Sequence, residues 1–475
     1  MTRDARDELI AEQAAIIAAQ AKEIAALKAQ LAELQEKVRQ SSRNSSKPPS
    51  SDSPSGSAGR SKTPTGRKPG GQPGHGRHER VLVPPERVDE TVHCKPERCE
   101  RCAARLTGTD PSPLRHQVSD LPPIRPTTSD YWLHALGCDH CGKTTRAKLP
   151  DGVPTGAFGP GVAAVVAALL GAYRLGKRPV AELMGDLFGL SMSVGAVVGC
   201  QELASAAIAD PVVAARVHVA EASVKHADET GWREARRRVY LWTVVTTAVT
   251  VFMIHARRSA DAARAILGRA TGVLVTDRHG AYNWWGDTLR QFCWAHLTRD
   301  FIKIVERGGD SERIGNALLA EKDRMFAWWH RVRDGTLARS TFKVYMRQVQ
   351  CRAEALLTEG AASSHAKTAK TCKNLLRHVD ALWTFVYHEG VEPTNNAAEH
   401  KVRHGVLWRK TSYGTHSAEG SRFVERILTV HATLRQQRRN IVDFMRDACR
   451  AALEHRSPPS LLPAIAPDVQ LRRAA

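Results

Sequence analysis

A multidomain α/β protein is the fold class this chain predicts, on three observations. Residues 8–40 carry a heptad pattern of apolar side chains, residues 81–150 hold two CxxC pairs, and from about Val217 the apolar period falls to two before strand and helix patterns alternate. With 475 residues, 42% of them apolar, there is room for roughly two to four domains and at least one sizeable core. The balance of 69 Lys and Arg against 49 Asp and Glu leaves a formal charge of +20. Such a charge favours a polyanionic partner, because basic side chains on phosphates release condensed counterions. Nucleic acid leads over an anionic membrane. The N-terminus MTRDARDELIAEQ lacks the basic start and apolar run of an export signal, and the nearly uncharged stretch 161–173 is too short to span a bilayer. A soluble, cytoplasmic protein is expected, in which paired cysteines point to metal rather than disulfides.

Taken in order, residues 1–40 place Ile10, Ile17, Ile24, Leu31 and Val38 on one seam position and Gln13, Gln20, Leu27 and Leu34 on the other. This predicts a coiled coil that pairs two or more copies; a single amphipathic helix packed on its own domain fits the same pattern. Residues 41–80 are a basic linker in which 23 of 40 residues are Ser, Pro or Gly, a composition that cannot offset its ordering entropy by burial. Residues 81–150 predict a ribbon-like zinc module with a β-hairpin between the pairs. Cys99, Cys102, Cys138 and Cys141 would bind one structural Zn²⁺, with Cys94, His93 and His140 as competing ligands. Residues 155–212 read as three helices; the two that meet across Gly189, the second capped by Ser191 or Ser193, form either a DNA-binding helix-turn-helix or plain helical packing.

Strands are expected around 218–226, 238–246 and 249–255, then a helix over 260–269, a strand over 272–276, a helix near 282–289 and a short strand over 291–294. Three antiparallel strands followed by α and β alternation is the order of an RNase H-like core, here spanning 217–435 with a helical insertion at about 305–390. A C-terminal helix and tail occupy 436–475.

Three acidic residues stand out in this layout: Asp228 in HADETGW, Asp277 ending GVLVTD, and Glu399 in TNNAAEHKVR. Two at the same end of one sheet and a third on a later helix offer hard oxygen ligands suited to Mg²⁺ or Mn²⁺. Two such ions about 3.5–4 Å apart would neutralise a phosphodiester and activate an attacking hydroxyl. In that scheme Asp228 bridges both ions, and Asp277 and Glu399 hold one each. Asn395 and Asn396 are good caps for the helix bearing Glu399. Arg403 reads either as an i+4 ion pair with Glu399 or as a phosphate contact. His296 and Trp294 in CWAHL read as packing at a strand end or as DNA-facing.

On these residues, together with the linker phrases NSSKPPSSD and RKPGGQPGH, the phrases VTDRHGAY and CWAHLTRDF, and WRKTSYGTHSAEG, the chain resembles DDE-type transposases of the insertion sequence 66 family. The resemblance covers most of the chain. Thr394 and His400 stand where the family more often has Asp and Arg. It implies a catalytic triad of Asp228, Asp277 and Glu399, and DNA contacts by Asn396, Lys401, Arg403 and His296. It further implies a nucleoid-associated bacterial enzyme that frees the 3′ ends of an element by hydrolysis and joins them to target DNA by transesterification. Its partners would be the element ends and target DNA, a second copy of the chain, and accessory proteins of the same element. Two rivals remain: a catalytically inactive or domesticated DNA-binding regulator of the same fold, and a zinc and coiled-coil scaffold, which would bind DNA with little salt dependence.

Overall fold

A computed structural model describes residues 3–41, 44 and 80–463. The expected linker lies almost wholly outside the described residues, as does the tail beyond 463. The chain divides into two units, the smaller within Ser53–Thr128 and Leu187–Gly189, the larger taking the rest.

In the smaller unit, the side chain of Gln117 takes the place of a neighbouring strand for Val83, accepting from its N–H at 2.8 Å and donating to its carbonyl at 2.8 Å. A bridge between Arg98 and Arg105 closes a tight loop around Cys99 and Cys102.

In the larger unit, helix α1 (Arg3–Arg39) covers the heptad segment, and Ile17, Ile24, Leu27, Leu31, Leu34 and Val38 are all exposed on it. Strands β1 (Ala135–Gly137) and β2 (Thr144–Arg146) pair antiparallel around Cys138 and Cys141. The hairpin thus encloses the second cysteine pair instead of filling the segment between the pairs. Four helices follow: α2 (Pro160–Gly171), α3 (Lys177–Phe188), α4 (Val194–Ala207) and α5 (Ala209–Glu221). Ser193, not Ser191, caps α4 by accepting from Ala196 N–H at 3.1 Å. The expected strand start near 218 is corrected: Val212, Ala215 and Val219 form a buried helical stripe, and the alternation in RVHVAE only mimics a strand.

The core of this unit is a five-stranded sheet of β3 (Val224–Glu234), β4 (Arg237–Val245), β5 (Thr250–His255), β6 (Val273–Thr276) and β7 (Arg290–Phe292), in the order β5-β4-β3-β6-β7. β3, β4 and β5 run antiparallel, while β6 pairs parallel with β3 and β7 parallel with β6. All four residues of β6 are buried, as an apolar run flanked by parallel neighbours requires. Helix α6 (Ala260–Leu267) leads into β6. Where a helix was expected over 282–289 there are two 3-10 turns, Gly280–Tyr282 and Asp287–Leu289, the first capped by the His279 side chain. The strand expected to reach Trp294 stops at Phe292, because Trp294 opens the next helix and buries its ring against Phe301 and Trp383.

Helices α7 (Trp294–Val305), α8 (Gly309–Arg333), α9 (Arg339–Ala361), α10 (Ala366–Arg377) and α11 (Asp380–Tyr387) share a core built on Trp294, Phe301, Trp329, Phe342 and Phe385. Three more helices, α12 (Asn396–Ser412), α13 (Ala418–Gln436) and α14 (Ile441–Leu453), complete the unit. Helix α13 closes the open edge of β5. Thr433, Thr429 and Glu425, spaced four apart, accept the N–H groups of Thr250, Phe252 and Ile254 at 3.0, 3.0 and 2.5 Å. Four helical residues rise about 6 Å and two strand residues about 6.6 Å, so each acceptor meets an outward N–H. Among the described residues no single helix is long and apolar enough to cross a membrane.

Candidate active site

Asp228 lies on the central strand β3, and Asp277 immediately follows β6. Because His226 pairs with Val275 in parallel register, each aspartate stands two residues beyond the same rung, level on adjacent strands. Neighbouring strands are about 4.8 Å apart, so the two aspartates sit side by side where β6 ends, midway along β3, which runs on to Glu234 and not, as expected, to a stop near 226. Glu399 joins them from the first turn of α12. The Asp228 carboxyl is pushed well above the usual carboxylate range, first by burial and then by the negative charges of Glu229, Asp277 and Glu399. All three sequence-identified acids therefore lie within electrostatic reach of one another's neighbourhood around Asp228.

Asn395 brings α12 to this place. It is buried, and its side chain does not cap the helix as the sequence suggested. Instead Nδ2 donates to the Ala227 carbonyl at 2.7 Å, next to Asp228, and Oδ1 faces His226 Nδ1 at 3.3 Å. Burial pushes His226 down to about 4, which keeps the ring neutral. The Asn395 N–H donates to Cys293 Sγ at 3.1 Å, and that thiol lies 3.9 Å from Glu399 Oε1. Burial, helped by Glu399, pushes the Cys293 thiol up to about 11. His296 turns its buried Nδ1 toward Glu399 Oε1 at 3.5 Å without a hydrogen bond. Cys293, His296 and Glu399 thus form a donor cluster whose ligand atoms lie within 4.8 Å of one another.

The turn after Asp277 is fixed from two sides. Arg290, fully buried in β7, donates to Thr276 Oγ1 (3.2 Å), Asn283 Oδ1 (3.0 Å) and the carbonyls of Asp277 (3.1 Å) and His279 (3.2 Å). Burial pulls its guanidinium down to about 10. On the other side Glu229, itself buried, pairs with Arg258 at 2.5 Å and accepts the Tyr282 hydroxyl. His279 N–H donates to Asp277 Oδ1 at 2.9 Å. Sequence reasoning missed Arg290, Glu229 and Arg258, and it read Tyr282 and His279 as residues that could approach DNA, where Tyr282 instead bonds to Glu229; the adjacency of Glu229 to Asp228 was the one available signal.

Of the remaining residues singled out, Asn396 and Arg403 are exposed on α12, and Arg403 makes no ion pair with Glu399. Lys401 turns away, its amine 3.4 Å from the Ala432 carbonyl on α13, and burial lowers its pKa. Helix α4 carries no basic residue and buries Val197, Cys200, Ala204 and Ala207. The cysteine pairs adopt the same local turn. Cys99 N–H donates to Ala104 O and Ala103 N–H to Cys99 O, both at 2.9 Å, with Ala103 at φ 56°. Cys138 N–H donates to Lys143 O at 3.0 Å and Gly142 N–H to Cys138 O at 2.8 Å, with Gly142 at φ 70°. In each turn the first thiol is lowered by backbone N–H groups, those of Arg101 and Cys102 for Cys99 and those of Cys141 and His140 for Cys138.

A mixed sheet that gathers carboxylates from two parallel neighbours and a following helix defines a class of proteins with an acidic site beside the end of a parallel strand. Residues 155–422 match the Transposase IS66 family, more than half of the chain, and the chain belongs to that family. Residues 1–81 match a family of unknown function (DUF6444). No curated protein matches. The family is one of transposases, whose substrate is DNA, and the match takes in Asp228, Asp277 and Glu399 together with the helices between the last two.

Proposed function

We propose that the protein is a DDE transposase with an RNase H-like core. It would bind the ends of an insertion element, cleave them to leave 3′-hydroxyls, and join those hydroxyls to target DNA. The observation that carries this reading is the level placement of Asp228 and Asp277 with Glu399 brought beside them, at the cost of a carboxyl driven well above its usual range. Three carboxylates brought into one neighbourhood are a hard donor set that suits Mg²⁺ or Mn²⁺. When bound, the ions would neutralise the phosphodiester and promote deprotonation of the attacking water or 3′-hydroxyl.

The chain's own residues supply positioning. Asp228 and Asp277 ride on sheet backbone, and the turn after Asp277 is held by Arg290 and by the Glu229–Tyr282 bond. Asn395 sets the distance of Glu399 from β3 through the Ala227 carbonyl. The neutral Cys293 thiol and His296 flank Glu399 and restrict its rotation. Arg403, exposed one turn beyond Glu399, would contact a DNA phosphate. For the cysteine pairs, a first thiol lowered by backbone donors in a metal-knuckle turn supports the reading of Cys99, Cys102, Cys138 and Cys141 as zinc ligands.

Incubation with duplexes carrying the element's terminal repeats tests the reading. Wild type should cut the 3′ ends in Mg²⁺ or Mn²⁺ and not in EDTA, and Asp228→Asn, Asp277→Asn and Glu399→Gln should each lose cleavage by at least about a hundredfold, as removing an essential group does. Cutting by any of the three at the wild-type rate would overturn it.

A further inference from the structure

The β3–β4 hairpin carries Arg233, Arg236, Arg237 and Arg238, all exposed, at the end of β3 away from the acidic site. Among the described residues none of the four forms an ion pair. Glu234 is bonded to Ser421, and the nearby Glu419 is paired with Arg422. A fifth guanidinium, Arg409 near the C-terminus of α12, bonds to the Gly231 carbonyl and faces the same corner. Burial lowers its pKa, and the charges of Arg233 and Arg238 lower it further.

The corner is rigid. The Thr415 carbonyl accepts from Ala235 N–H at 2.6 Å, Thr415 N–H donates to Arg233 O at 2.9 Å, and Trp232 Nε1 donates to Thr415 Oγ1 at 3.2 Å. Gly414 is required there: at φ 112° a Cβ would lie 2.2 Å from the Arg233 carbonyl oxygen. Five guanidinium groups therefore share a corner held by backbone contacts, with Glu234, cross-strand from Arg237, the one carboxylate at the hairpin tip, and a polyanion relieves the remaining like-charge excess.

We infer that the hairpin tip and the end of α12 form a phosphate-contacting surface for double-stranded DNA, on the same track as the acidic site. Helix α12 runs beside β3 from Asn395 at Ala227 to Arg409 at Gly231. Five strand residues from Asp228 to Arg233 span roughly 17 Å, which is about five base pairs of a duplex rising 3.4 Å per step. The hairpin would thus grip the backbone about half a helical turn from the bond being cut. This inference rests on the proposed function for its ligand but not for its measurement.

The test is the affinity of the full-length protein for a duplex of about 30 base pairs, measured by fluorescence anisotropy across a salt series. Each phosphate contact contributes about 0.9 to the slope of log K against log salt, so Arg236→Ala/Arg237→Ala/Arg238→Ala should flatten that slope by about 2 to 3. The matching triple Lys variant should retain it. Because the three side chains are exposed, the melting temperature should not move. An Ala variant with the wild-type slope and affinity overturns the inference. An uncut element end in the wild type, with the slope still dependent on these arginines, overturns the catalytic reading and leaves the surface standing.

Discussion

Asp228 is the residue on which charge matters most. Its folded-state carboxyl lies well above the ordinary range through burial and three neighbouring acids. An acid whose pKa is raised by folding is favoured in its protonated form, so the metal-free protein loses stability as pH rises from the ordinary carboxylate range through the folded value. Asp228→Asn removes that penalty. In EDTA the variant should melt above wild type at pH 7, by roughly 2–4 °C for each kcal/mol relieved, and the difference should vanish near about pH 3, where the acid is protonated in both states. Adding Mn²⁺ at pH 7 should raise the melting temperature of wild type and not of the variant. A variant that melts below wild type at pH 7 in EDTA contradicts this picture. The three acids were legible in the sequence through the phrases around them, HADETGW, GVLVTD and TNNAAEHKVR, although Asp228 lies inside β3 and not at its end. Arg290 was not, since an arginine in TLRQFCW reads as surface until its four acceptors are seen.

At the scale of elements, α13 and β5 form a unit in which side chains replace a missing strand. Thr429 accepts the N–H of Phe252, a residue with no exposed surface. Thr429→Val keeps the shape and leaves that donor unpaired, which should cost about 1–3 kcal/mol in urea unfolding; an unchanged midpoint would show that the bond contributes nothing. Strand periods in β4, β5 and β6 were legible because branched apolar residues dominate them. Helix α5 was misread at 218–221 because alternating valines satisfy both periods over so short a run. The 3-10 turns at 280–289 escaped because His279, an uncommon cap residue, starts the first of them.

For the whole molecule, α1 leaves Ile17, Ile24, Leu27, Leu31, Leu34 and Val38 exposed at heptad spacing. A second copy of the chain is the partner such a seam suits. Leu27→Asp/Leu31→Asp should therefore halve the mass seen by light scattering at micromolar concentration, while an unchanged mass would place self-association elsewhere. The family was legible in long motif phrases, whereas the hairpin arginines were not, because their exposure and the lack of ion pairs to them among the described residues are properties of the folded corner.

Calorimetric titration of Mn²⁺ into zinc-saturated wild type, Asp277→Asn and Glu399→Gln asks directly whether those carboxylates act as one site. Saturable binding to wild type, weakened at least about tenfold, or 1.4 kcal/mol, in both variants is the predicted result. Equal affinity in all three proteins would contradict the account.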